Sequence, residues 1–132
     1  MKKFLLILLS AFPLYAQDFQ LNDPYTGTTI AVEINVQISN YFPIFGLSEK
    51  PYTYEKLIRL KDRNNVYTTY LHFSDSYSSP KYDRRTKVLR LYFPHAYYDY
   101  IIQRLEKTDS YIVYREYRDG HTWGEIYFDK YP

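Results

Sequence analysis

Cysteine is missing from the chain. Its absence excludes disulfides, thiolate metal ligands, a cysteine nucleophile and anchoring through a lipid-modified cysteine. Glycine is scarce, and four scattered residues give no loop to cradle a phosphate. No Gly-x-Ser-x-Gly elbow is present to expose an activated serine. The histidines are His72, His95 and His121. His95 and Asp99 stand four apart, a helical spacing, but no motif adds the third ligand of a metal site. Glu116 and Glu125 are the carboxylates that strand pairing brings near each other, on a hairpin face with no cleft for glycoside hydrolysis. No catalytic residue, metal or cofactor is therefore expected.

Long apolar runs are also lacking, with one exception at the start. Met1-Lys2-Lys3 is basic, Phe4 to Leu9 is unbroken apolar sequence, and Ala16 is a small residue followed by polar Gln17-Asp18. That order is the one of a cleavable secretory signal. A helix over 4–16 would reach roughly 20 Å, against about 30 Å of bilayer core. The sequence thus predicts a signal peptide over 1–16 and a single β-rich globular domain over 17–132, periplasmic or extracellular, with no membrane span in the mature protein.

An excess of one charge sign is absent once that leader is set aside. Lys2 and Lys3 are two of the seventeen basic residues, and none of the fifteen acidic residues goes with them, so fifteen of each remain. A balanced mature chain gives no global signal for nucleic acid. A local exception is the segment around Lys81, Arg84, Arg85 and Lys87, with Tyr77 and Tyr82. It reads as a solvated loop or a contact for an acidic partner.

What the chain has in abundance is tyrosine, 18 residues of 132. Tyrosine favours strands, and its rigid ring with a polar tip also suits interfaces. Ile30, Val32, Ile34, Val36 and Ile38 alternate with Ala31, Glu33, Asn35 and Gln37. That period of two predicts a strand over 28–39 with one buried face. Pro43, Gly46 and Pro51 mark 40–53 as irregular. Strands over 54–61 and 66–74 form a hairpin around Asp62-Arg63-Asn64-Asn65. Ile58 and Leu60 then share a face with Tyr67, Thr69, Leu71 and Phe73, while Leu57, Arg59, Lys61, Thr68, Tyr70 and His72 take the other. The polar stretch 75–86 reads as a loop before a strand over 87–93. Pro94 opens a helix in which Tyr97, Tyr98, Ile101, Ile102 and Leu105 recur at helical spacing to about Lys107. A last hairpin turns at Asp119-Gly120. The expected fold is α+β: a mostly antiparallel sheet of about six strands with one short helix, in the order ββββαββ.

A two-residue turn at Asp119-Gly120 would set Glu116 opposite Trp123 and Tyr114 opposite Glu125. One face of the hairpin would then carry Tyr114, Trp123 and Tyr127 among Glu116, Arg118 and Glu125. Aromatics set among charges on a strand face are the composition of a binding surface. With no catalytic constellation, the leading expectation is a small exported binding protein without catalytic activity. It would act on another exported macromolecule, as an inhibitor or immunity-type partner does. The alternative is a carbohydrate-binding module or small glycan-acting enzyme, because stacked rings flanked by carboxylates also suit a glycan.

Overall fold

The computed structural model describes residues 29–48 and 53–129, and for 47, 48 and 53–55 only the backbone. The expected signal peptide lies outside these residues. Seven strands make one mixed sheet: β1 (Ile30–Ser48), β2 (Thr53–Asp62), β3 (Thr68–Phe73), β4 (Lys81–Asp83), β5 (Val88–Phe93), β6 (Ser110–Tyr117) and β7 (Thr122–Phe128). A 3-10 turn at His95–Tyr97 leads into the helix α1 (Tyr98–Lys107). The strand order is β4-β5-β3-β2-β1-β6-β7. By contact density the described residues fall into two units, a smaller one of 29–33 and 115–121, and a larger one of 34–114 and 122–129.

In the smaller unit, Arg118 N donates to Thr29 O at 3.0 Å. Arg115 Nε donates to Glu33 Oε2 at 2.7 Å. The ring of Tyr117 stacks on His121 with centroids 4.2 Å apart.

The larger unit holds the core. The alternation of the first strand lasts to Ile38, with Ile34 buried and Val36 and Ile38 packed on the core. The pairing with β2 slips between Ile38 and Asn40, a bulge whose Ser39 hydroxyl donates to the carbonyls of Lys61 and Asp62. One extra residue reverses the facing. Beyond the bulge Tyr41 stands opposite core residue Leu60 and Pro43 opposite Ile58, so Phe42 and Ile44 face outward. The expected irregular segment is therefore strand as far as Ser48. Proline permits this only where its nitrogen owes no bond to the ladder.

The β2–β3 hairpin has the predicted facing, with Ile58 opposite Leu71 and Leu60 opposite Thr69. Its turn is held by the buried Asp62 carboxylate, which accepts from Val66 N at 2.9 Å and Tyr67 N at 2.8 Å. The sheet departs from the expected antiparallel plan at β5, which runs parallel to β3 from Thr68–Val88 to Phe73–Phe93. The strand that sequence reading passed over, β4, makes this possible. It pairs antiparallel with β5 on the outer side through a turn over 84–87. Asp83 side-chain oxygen accepts from Arg85 N and Thr86 N, and Lys87 takes a left-handed φ of 59°. Those two backbone donors hold the Asp83 carboxyl below its usual range. Its grip on the turn is thus complete above about pH 4 and is lost as pH falls through the lowered value. With its polar Lys-Tyr-Asp composition, β4 is too short to show a period.

Helix α1 buries Tyr98, Ile101 and Leu105 as the spacing predicts, with Ile102 packed against the core, whereas Tyr97, expected in the same stripe, ends the 3-10 turn and is 53 % exposed. The phenol of Tyr98 lies edge-on to Phe73 at 4.9 Å, and burial raises its pKa.

Gly124 of β7 is a close approach. A Cβ there would collide with Leu91 Cδ2 and lie 3.1 Å from Cβ and Cγ of Pro80. Leu91 is itself buried, so its methyl must shift for a Cβ to fit. Gly124→Ala is expected to destabilise the protein by about 1–3 kcal/mol through overpacking. Urea denaturation followed by circular dichroism checks this, and an unchanged midpoint would show that the site has room.

Candidate functional site

The last hairpin decides what the outer face of β7 carries. A two-residue type I′ turn needs left-handed backbone at both central residues. Gly120 has φ 98°, and Asp119 is not left-handed. Instead Gly120 N donates to Tyr117 O at 2.9 Å and Tyr117 N to His121 O at 3.0 Å, which closes a turn of three residues, Arg118-Asp119-Gly120. The Asp119 side chain accepts from His121 N at 3.1 Å, the Asx-type bond that aspartate favours in turns. At the other end of the strands Asp129 N donates to Asp109 O at 2.9 Å. The pairing is thus one residue away from the expected one.

One residue turns a strand over. Tyr114, expected on the open face, lies in the core at 2 % exposure, its ring 5.6 Å from Tyr82. Tyr111, expected opposite Phe128, stacks instead on Tyr127 with centroids 4.9 Å apart and planes within 12°. Its hydroxyl donates to Asp129 Oδ2 at 3.0 Å. That bond, with burial and nearby carboxylates, raises the Tyr111 pKa. Trp123 is 43 % and Tyr127 37 % exposed. The indole Nε1 of Trp123 donates to Glu125 Oε1 at 2.6 Å. Trp123, Glu125 and Tyr127 are therefore brought together on one face of β7. Glu116 and Arg118 belong to the smaller unit, where Glu116 is half-buried and Arg118 exposed at the turn. Sequence reading missed Tyr111. Only the turn geometry places it, and the Asp119-Gly120 pair is compatible with both turn lengths.

A second surface lies on the outer side of β1 to β5. The registers set Phe42 opposite Arg59, Arg59 opposite Tyr70, Tyr70 opposite Arg90 and Arg90 opposite Lys81. This makes one transverse row of alternating rings and cations, ending in Lys81 beside Arg90. Arg59 lies 5.0 Å over the Phe42 ring and Arg90 4.7 Å over Tyr70. In the neighbouring row His72 stacks on Tyr92 at 4.8 Å, and Lys81 Nζ lies 5.4 Å above that ring. Arg90 Nη1 donates to His72 Nε2 at 2.9 Å. A guanidinium has only donors, so Nε2 is the acceptor and the imidazole hydrogen sits on Nδ1. Beside the row, Lys81, Arg84, Arg85 and Arg90 line an open concavity of about 940 Å³. Sequence patterning placed Arg59, Tyr70 and His72 on this face. It did not place Arg90 and Tyr92 beside them, because nothing in the composition of β5 announces a parallel neighbour.

Among the described residues no group of three or more His, Asp or Glu side chains is placed to hold a metal. No helix among them is long and apolar enough to cross a membrane. No protein-family model, curated protein or solved structure matches the chain.

Proposed function

We propose that the mature chain is an exported binding protein without catalytic activity, whose partner is another exported macromolecule. The observation that carries this reading is the outer face of β7. Trp123 is held by Glu125 and Tyr127 is stacked on Tyr111, so large aromatic surface is exposed to solvent in a fixed geometry. Rings ordered before contact lose little freedom on binding, and tryptophan and tyrosine are the residues that most often dominate an interface.

Trp123 is the only tryptophan, so its fluorescence reports on the face without labels. Emission in the free protein is expected to be red-shifted and open to acrylamide, and a blue-shifted, protected signal would remove the site. Mature protein starting at Gln17 and recovered outside the cytoplasm, checked by intact mass, provides the bait for affinity capture from the same compartment. A partner held by the parent chain should bind about thirtyfold more weakly to Trp123→Ala, the effect of losing about 2 kcal/mol at an interface hot spot. Equal retention by the variant would overturn the reading. A glycan array probed with the same pair tests the alternative partner class.

A further inference from the structure

We infer that the row Phe42, Arg59, Tyr70, Arg90 and Lys81 is a docking surface for an acidic stretch of a partner protein. Carboxylates would be received by the guanidinium edges of Arg59 and Arg90 and the ammonium of Lys81. The inference does not depend on the β7 face.

Charge complementarity is the first argument. Three adjacent rows on this face are the row above, the row Ile44, Leu57, His72 and Tyr92, and the row Asn40, Lys61, Thr68, Val88 and Asp83, and a further pair at its far end is Gly46 with Glu55. Within those three rows the one carboxylate is Asp83, and it is turned to the backbone of its own turn. Arg84 and Arg85 stand exposed in that turn at the end of the row. Arg59, Lys61, Lys81, Arg84, Arg85 and Arg90, six of the seventeen basic residues, stand in these rows or in that turn.

The second argument is a cost that the fold carries. Arg59 Nε is buried and has no hydrogen-bond partner. An unsatisfied buried donor is unfavourable, and an apolar side chain on Phe42 would avoid it. That cost is carried by a guanidinium whose remaining N–H groups are the kind a carboxylate binds.

The third argument selects the chemistry. A sugar or a nucleobase binds such a surface by lying on an open ring. Here cations already lie over Phe42, Tyr70 and Tyr92. A guanidinium carries its N–H donors in a rigid fork that matches a carboxylate. Neighbouring strands are about 4.8 Å apart. The strand positions that carry the cations are therefore about 5 and 10 Å apart along the row, a spread that several carboxylates fill and one does not.

The probe is a fluorescein-labelled deca-glutamate peptide, titrated with the full purified protein at low salt and followed by anisotropy. Binding is expected, with loss in about 1 M salt, where screening acts within about 3 Å. Arg59→Gln should weaken it at least tenfold. Lys81→Gln, whose exposed side chain takes no part in the core, should weaken it several-fold with an unchanged circular dichroism spectrum. No binding by the peptide overturns the inference, as does binding that neither variant alters. So does tighter binding of a uronic-acid oligosaccharide, an oligo-thymidine or anionic vesicles under the same conditions.

Discussion

Replacing Tyr114 with alanine is expected to cost about 3–5 kcal/mol, the range for removing a buried aromatic ring. Tyr114 is 2 % exposed and packs with Tyr82 in the cluster that includes Leu89, Leu91 and Ile112. Its place in that cluster follows from the three-residue turn at Arg118-Asp119-Gly120. With a two-residue turn the same side chain would stand in solvent, where substitutions change stability by no more than about 0.5 kcal/mol. The mutation therefore measures the register of the hairpin. Urea midpoints for Tyr114→Ala and the parent chain separate the two pairings by several kcal/mol, and an unchanged midpoint would restore the shorter turn.

The second large effect belongs to β1. Ile34→Ala removes buried methyl groups from a side chain only 6 % exposed, an expected loss of about 2–4 kcal/mol. Its neighbour Glu33 points the other way and pairs with Arg115 in partial solvent, the side chains 43 % and 22 % exposed. A pair of that kind contributes at most about 1 kcal/mol, so Glu33→Ala should barely move the midpoint. Thermal or urea unfolding of the two variants side by side checks the order, and a reversed order would mean that the strand faces the other way.

Legibility in the sequence followed how local each determinant was. Alternation in 30–38, the facing of the β2–β3 hairpin and the apolar stripe of α1 depend on residues within one or two elements, and they stand as read except for Tyr97, which the stripe included and the structure leaves exposed. Three features depend on something else. The extension of β1 through Pro43 and Gly46 rests on pairing with β2, and its reversal of facing rests on a single bulge at Ser39. The parallel β3–β5 pair rests on a strand of three residues. Loss of Tyr114 to the core rests on the left-handed backbone of Gly120 without the same at Asp119. The binding face read from the last hairpin is correspondingly split: Trp123, Glu125 and Tyr127 stay together, and Tyr114 leaves.

The β4–β5 hairpin also bears on the order in which the chain assembles. Its strands meet through the turn at 84–87, whereas β3 and β5 pair at a constant separation of twenty residues. Short closures cost the least entropy and hairpins form within microseconds, so β4 and β5 are expected to find each other before β5 finds β3. Until that hairpin docks, β3 presents an open edge beside Leu71 and Phe73. An open edge accepts a strand from any molecule that offers one. At high concentration during refolding, a neighbouring chain offers the same hairpin, with 74–80 as the link that lets it cross over. Exchange of β4–β5 between two copies is then the characteristic misassembly of this topology.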